Sequence, residues 1–450
     1  MGALAKIRYH PAQPVLSATS FKPPPRNLAR EHNHISLPRF QQTNLPVTAL
    51  APIDALRGSL EQIRESWQTN QTQPTLLTLP ERLHGEYQSH RETSPLGRVF
   101  RIANSMQDQI DAVVVVGDSS SLAATRAIFR ACCDPMHNEL TRAERGSRPR
   151  IYFAGDTDDI DSLNSLLHRL STPTCESAPN AFALVVINED DNASYVPKVL
   201  PHLLDTLHSQ LRQQSDALLP RFLIPFAKPG NWLDTLARSI GCHEIFDAGD
   251  DALTLNPLAL ANHLPAAMLG LDCMRLLGGA HEIKEHFLNT PADQNIVLQY
   301  VAACRQSRSN LGLVQRVFNV PCLALESFGH WYERLVTTTG GKIQQERFQT
   351  RVCPQDNHRR PLLSTDTLVV DLKVLSTRTD APLTRQVWFG DDVVAEIANE
   401  RELQAPTACA TICPSVSLTI PQIDTFTMGQ LFQWFLIATA VENAIRDSGR

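Results

Sequence analysis

Short apolar segments alternate with amphipathic helical segments along most of the chain, and this alternation constrains the fold more than any other feature. The stretch VVVVGDSSSLAATRA, residues 113–127, begins as an apolar strand, passes through a turn of small residues and continues as a helix. The pattern recurs at four further apolar segments, 151–154, 183–187, 222–225 and 244–246. Strand and helix in regular succession predict an α/β fold with a parallel sheet covered by helices on both faces.

The second half of the chain shows a similar but less regular pattern. We predict strands at 322–324, 367–374 and 387–389, and helices at 295–305, 328–336 and 428–445. This half is therefore predicted to be a second, smaller α/β unit.

Three segments follow from this division. Residues 1–48, rich in proline, asparagine, glutamine and arginine, are predicted to form an irregular tail. Residues 49–280 are predicted to hold N-terminal helices and the first α/β domain, and residues 281–450 the second.

The overall composition excludes several classes of protein. The net charge of −6 argues against a general nucleic-acid or anionic-membrane binder, because both need a basic face. No apolar run approaches the roughly 20 residues of a membrane span, and the N-terminus shows no secretory signal. The ten cysteines are scattered without zinc or redox spacing, which favours reduced core cysteines in a cytoplasmic protein without a metal.

Several blocks of the sequence, taken in order, resemble the glucose-6-phosphate isomerase family. They include FRACCDPMHNEL, RPRIYFAGDTDDIDSLNSLL, LPAAMLGLD, NIVLQYVAACR, FGHWYERL and FTMGQLFQWFLIATA. The resemblance covers residues 75–445 and implies two sugar-isomerase (SIS-like) domains, each a parallel sheet flanked by helices. It also implies a homodimer and an aldose–ketose isomerase of glycolysis and gluconeogenesis that uses no cofactor.

The first phosphate loop of that family has the pattern G-I-G-G-S-x-x-G. The matching positions here begin at Gly117 and Asp118 and continue through Ser119, Ser120 and Ser121. Glycines serve in such loops because backbone N–H groups must come close to the ligand. The substitutions predict a residual anion-binding turn at Gly117 and the three serines, and we favour Asp118 as a cap of the following helix.

The second phosphate loop of the family reads S-K-S-G-T-T. The equivalent stretch is NEDDNA, in which Asn188 and Asn192 remain as degenerate substrate-binding positions. The lysine is missing and three carboxylates are present, and carboxylates repel a phosphate dianion. Binding of a sugar phosphate is therefore expected to be weak.

The catalytic positions of the family are also altered. The resemblance places Thr254 where the family has an arginine and Thr338 where it has the glutamate that transfers a proton. A threonine hydroxyl cannot act as a base near neutral pH. His358 is the candidate for the family's histidine, and the chain ends before the family's C-terminal lysine segment, so a truncated C-terminus is expected.

Two functional interpretations stay open. In the first, the protein is catalytically impaired or inactive and acts as a scaffold, a regulator or a subunit partner of an active isomerase. In the second, it is an enzyme, either a glucose-6-phosphate/fructose-6-phosphate isomerase or one with new chemistry in an acidic site.

Acidic turns and histidines suggest metal sites, but other interpretations are preferred. Asp156, Asp158 and Asp159 follow one predicted strand, and Mg²⁺ or Ca²⁺ takes such ligands, although aspartates are common in turns. Similar acidic residues follow two others, at 189–191 and 250–251. We interpret the run His281–His286 as a solvated helix surface. For His243 and His263 we favour core or lining roles.

Overall fold

In its computed structural model, the chain folds into two sheets of mainly parallel strands with helices packed against them. The structure describes residues 37–43, 52–69, 74–172, 181–188, 195–248, 255–312, 315–339, 347–353, 366–376 and 413–448. Strands and helices are numbered separately in chain order. The predicted α/β class, with parallel sheets flanked by helices, is confirmed.

The first sheet is entirely parallel. Its strands are β2 (Ala112–Val116), β3 (Arg150–Ala154), β4 (Phe182–Asn188), β5 (Leu223–Ala227) and β6 (Phe246–Asp247). They lie in the order β3-β2-β4-β5-β6. All four valines of β2 are inaccessible to solvent, as expected for a continuous apolar strand covered on both faces.

Three helices of the first half precede β2, and the others lie between successive strands of this sheet. They are α1 (Pro52–Gln68), α2 (Thr75–His90), α3 (Pro95–Met106), α4 (Ser119–Cys132), α5 (Ile160–Ser171), α6 (Val196–Leu211), α7 (Ser215–Phe222) and α8 (Trp232–Ile240). The sequence pattern did not predict α2, which contains Pro80. Its buried leucines hold it in the core nevertheless.

The second sheet is parallel except at one edge. Its strands are β1 (Arg39–Thr43), β7 (Gln315–Val320), β8 (Arg347–Val352), β9 (Thr367–Val374) and β10 (Ser415–Ile420). They lie in the order β1-β10-β9-β7-β8, with β1 antiparallel to β10. The remaining helices are α9 (Leu260–Met268), α10 (Cys273–Asn289), α11 (Ile296–Leu311), α12 (Glu326–Thr339) and α13 (Thr425–Ser448).

Two predicted elements are wrong. The strand expected at 322–324 is a short 3₁₀ turn, because β7 already ends at Val320 and Pro321 has no N–H for a ladder. The tail predicted to be irregular, 1–48, contains β1, which pairs in register with β10. The strand predicted at 387–389 lies outside the described residues.

Helices α10 and α13 cross at a contact built on glycines. A Cβ atom at Gly279 would overlap the carbonyl oxygen of Phe426, and one at Gly429 would overlap that of Leu276. The two backbones therefore touch directly at this crossing. The boundary predicted between residues 280 and 281 falls inside α10, and the domain limits stay a prediction.

Candidate functional site

The turn after β2 lies where an open parallel sheet normally binds its ligand. Ligands bind beyond the carboxyl ends of such strands, at the point where the strand order reverses. The chain leaves β2, an interior strand of the sheet, toward β3 on one side and returns to β4 on the other. The predicted anion turn, Gly117 with Ser119, Ser120 and Ser121, stands at this point and opens α4.

Asp118 caps α4 with its own carboxylate. Its Oδ1 atom accepts hydrogen bonds from the backbone N–H groups of Ser120, at 2.8 Å, and Ser121, at 2.7 Å. These are groups that a helix N-terminus offers to a bound anion. The prediction that Asp118 is a helix cap is confirmed, and a carboxylate of the chain itself holds two of the amides.

Two glycines bring the turns after β2 and β3 together. A Cβ atom at Gly117 would lie 3.1 Å from Cβ of Ser121 and 3.2 Å from Leu122. Gly155 has φ of +94°, and a Cβ atom there would lie 3.0 Å from the carbonyl oxygen of Gly117. Gly155 adopts a backbone conformation that favours glycine, and a side chain at Gly117 would crowd its neighbours.

A cleft of about 640 Å³ separates the turn after β2 from α12. The side formed by the first sheet contributes Ser119, Ala123, Arg126 and Asp156. The side formed by α12 contributes Ser327, His330, Trp331, Glu333, Arg334, Thr337 and Thr338. We call this space the α4–α12 cleft.

Asp156 is neutralised on the first side of the cleft. Its Oδ2 atom lies 2.6 Å from Nη1 of Arg126, whose guanidinium also lies 4.9 Å from the ring centre of Phe153. The hydroxyl of Ser119 donates to the backbone carbonyl of Asp156 at 3.4 Å. Asp156 therefore serves an ion pair here, which favours the turn interpretation over a metal ligand.

Asp159 has a structural role as well. Its carboxylate caps α5 by accepting from the backbone N–H groups of Asp161 and Ser162 and from the Ser162 hydroxyl. The hydrogen bonds from Ser162 hold the pKa of Asp159 below its ordinary value. Acidic residues 189–191 and 250–251 lie outside the described residues.

On the opposite side, His330 and Glu333 form a pair on neighbouring turns of α12. Oε2 of Glu333 lies 3.5 Å from Nδ1 of His330 and accepts from the backbone N–H of Thr350 at 3.2 Å. Helix α12 approaches β8 this closely because Gly329 has no side chain, and a Cβ atom there would overlap Thr350. Sequence reasoning missed this pair, although its i, i+3 spacing was a usable signal.

Arg334 joins the two sides of the cleft. Its Nη1 atom donates to the hydroxyl of Ser120 at 3.3 Å. Sequence reasoning missed this residue too. Its position four residues after His330 places both on one face of α12.

The remaining predicted site residues divide into three groups. Thr338 is exposed in the last turn of α12 and lines the cleft. Asn188 ends β4, is buried, and accepts a hydrogen bond from Asn231 at its carbonyl oxygen; it does not line the cleft. Thr254, Asn192 and His358 lie outside the described residues.

Of the histidines singled out in the sequence, His263 and His286 have structural surroundings, whereas His243 and His281 are exposed. His281 is exposed, but His286 accepts from the backbone N–H of Ile296 at 3.1 Å, so the prediction of a solvated surface is wrong for His286. His263 is fully buried, which lowers its pKa to about 4. Within the described residues, three potential metal ligands converge at the exposed side chains of Glu81, His281 and Glu285, and Lys284 also pairs with Glu81.

Comparisons with known proteins find both sequence relatives and solved structures that share this fold. No family model matches the chain. A glucose-6-phosphate isomerase of Pediococcus pentosaceus is 20% identical over 369 residues, covering 78% of this chain and 79% of its own. One of Caldanaerobacter subterraneus is 23% identical over 364 residues, covering 77% and 78%.

Solved structures share the fold over nearly the whole chain. A hypothetical protein from Thermus thermophilus superposes with a TM-score of 0.67 at 18% identity, covering 91% of this chain and 94% of its own. A glucose-6-phosphate isomerase from Chlamydia trachomatis superposes with a TM-score of 0.64 at 13% identity, covering 90% and 83%. Every described helix falls short of the length or apolarity that a membrane span requires. The sequence relatives and the shared fold show that the chain is similar to glucose-6-phosphate isomerases, from which its sequence has diverged.

Proposed function

We propose that this protein keeps the fold of its family but not the ordinary interconversion of glucose 6-phosphate and fructose 6-phosphate. It acts instead as a catalytically impaired or inactive scaffold, regulator or subunit partner. The observation that carries the proposal is the Asp118 carboxylate on the backbone amides of Ser120 and Ser121. Those amides lie at the start of α4, in the turn that matches the family's first phosphate loop.

Charge repulsion between Asp118 and a phosphate group supports the proposed lack of isomerase activity. A unit charge about 5 Å from a carboxylate costs about 3 kcal/mol at an effective dielectric constant of about 20, and a phosphate dianion carries two. A sugar phosphate at this turn would therefore meet the carboxylate of Asp118 before it met a free N–H group. This unfavourable free energy is larger than the favourable contribution of a hydrogen bond from the Ser119 hydroxyl in the same turn.

The chemistry of Thr338 supports the same conclusion. Aldose–ketose isomerisation needs a base that removes a proton from carbon. Thr338 lines the cleft at the position that matches the family's glutamate, and its hydroxyl does not ionise near neutral pH.

A coupled assay tests the proposal. The protein is purified from a host that lacks its own glucose-6-phosphate isomerase, and fructose 6-phosphate is supplied with a dehydrogenase that detects glucose 6-phosphate. We expect no turnover above background, while an authentic isomerase added to the same mixture restores the signal. Sustained turnover by the purified chain would overturn the proposal.

One observation favours the alternative of an active isomerase. Glu333 lines the same cleft five residues before Thr338 and pairs with His330, so it could act as a relocated base. If turnover is found, this alternative predicts that it is lost in E333Q and retained in T338A. Turnover retained in both variants would assign the activity to other residues.

A further inference from the structure

Among the described residues, the α4–α12 cleft contains a guanidinium group without a carboxylate partner. Arg334 is half-buried, donates to the Ser120 hydroxyl, and forms no ion pair within the described part of the chain. The other arginine of the cleft, Arg126, is already neutralised by Asp156. Of the arginines that the structure describes in the cleft, Arg334 is therefore the one whose charge remains available to a ligand.

Other groups of the cleft offer hydrogen bonds rather than charge. Ser327 and Thr338 line it with hydroxyls that have no partner among the residues described. Glu333 and His330, paired on the α12 side, add an acceptor and a ring nitrogen. Groups of this kind suit the hydroxyls of a sugar or polyol.

The geometry of these groups points to a ligand with a single, planar negative charge. A guanidinium presents its N–H groups as a flat fork that matches a carboxylate. Asp118 holds the amides of α4 that a phosphate dianion would need, and its negative charge repels such a dianion.

We propose that the α4–α12 cleft binds a polyhydroxylated monocarboxylate, which is a sugar acid without phosphate, through Arg334. The hydroxyls of Ser327 and Thr338 contact the hydroxyls of the ligand, and Asp118 makes the cleft selective against phosphate esters. This inference rests on the proposed function, since a phosphosugar that is converted in the cleft would occupy the same space.

Calorimetric titration of the full-length protein tests the inference. The probes are D-gluconate, D-glucose, which has the hydroxyls without the charge, and D-glucose 6-phosphate. We expect gluconate to bind with a Kd below about 1 mM, and both other probes to bind at least about tenfold more weakly. In R334Q, gluconate should lose at least about tenfold in affinity, as expected for removal of a charged hydrogen-bonding partner.

A matched arginine on α4 provides the control. Arg130 is exposed, lies outside the cleft, and contacts the ring of Phe129. R130Q should leave gluconate binding unchanged. Unchanged binding in R334Q, an equal loss in R130Q, or no gluconate binding to the wild type would each overturn the inference.

Asp118 has its own test. D118N keeps a side chain that caps helices well but removes the negative charge. We expect D118N to bind glucose 6-phosphate at least about tenfold more tightly than the wild type. Tighter binding of glucose 6-phosphate than of gluconate by the wild type would overturn the selectivity. The fructose 6-phosphate assay on the same samples separates the two proposals, because turnover contradicts the proposed function, whereas missing gluconate binding contradicts only this inference.

Discussion

The crossing of α10 and α13 and the turn after β2 both bring backbone groups close to a neighbour, but they do so in opposite ways. At the crossing, Gly279 and Gly429 have no side chains, so the two helix backbones touch. At the turn, Asp118 and the serines keep theirs, and the Asp118 carboxylate occupies the space over the amides of α4. The helix crossing depends on the absence of side chains, whereas the turn is covered by the side chain of Asp118.

This difference indicates which part of the molecule can change without unfolding it. Contact between two helix backbones leaves no room for adjustment, because protein interiors are packed at the density of organic crystals. A helix N-terminus needs only some acceptor for its N–H groups, which can be a ligand or an aspartate of the chain. The fold can therefore persist while the groups at such a turn change.

The largest expected effect lies at the crossing. G279A or G429A would place a methyl group on a backbone carbonyl, and overpacking of this kind costs about 1–3 kcal/mol of unfolding free energy or more. G278A is the matched control, since its methyl group would lie 3.6 Å from Phe426, an ordinary contact, and alanine is the better helix former. Urea denaturation should show a loss in the first two variants and no loss in the control. Equal stability of all three would contradict the close crossing.

A second effect concerns a buried polar group of the interior. Burial lowers the pKa of His263 to about 4 in the folded protein, whereas an unfolded histidine titrates near 6.5. Below pH 6.5 the unfolded state takes up the proton first, so stability falls as the pH is lowered toward 4. The loss of unfolding free energy that His263 causes reaches about 3 kcal/mol near and below pH 4.

The variant H263L should remove this part of the pH dependence. The difference in unfolding free energy between wild type and H263L is measured at several pH values, because His137 and His286 also have lowered pKa values and act in the same direction. H208Q, at an exposed position of α6, is the control. A difference that stays constant between pH 7 and pH 4 would contradict the burial of His263.

The interior was more predictable from sequence than the cleft, for a physical reason. The valines of β2 and the start of α4 follow from local patterns, because neighbouring residues determine a buried strand and a helix cap. The pairing of Ser120 with Arg334 joins residues 214 positions apart, so no local pattern could reveal it. The strand predicted at 322–324 overlooked Pro321, which directly follows β7.

A smaller effect is expected at the cap of α4. D118A removes an acceptor of two backbone N–H groups and should lower the unfolding free energy by about 1 kcal/mol, whereas D118N should keep most of the stability. Thermal denaturation of the three proteins measures this. A loss of the same size in D118N would mean that charge, rather than capping, accounts for the effect, and the turn would then be less replaceable than the comparison implies.

The smallest effect is expected at the ion pair of the cleft. Arg126 and Asp156 are 34% and 18% exposed, and partly exposed pairs contribute about 0–1 kcal/mol. R126Q should therefore lower the unfolding free energy by less than about 1 kcal/mol, and R275Q, which breaks an exposed pair with Asp424 elsewhere, should behave alike in the same urea titration. If R126Q instead destabilised the protein as strongly as G279A, the polar lining of the cleft would be part of what holds the fold together. The contrast between a fixed interior and an adjustable cleft would then fail.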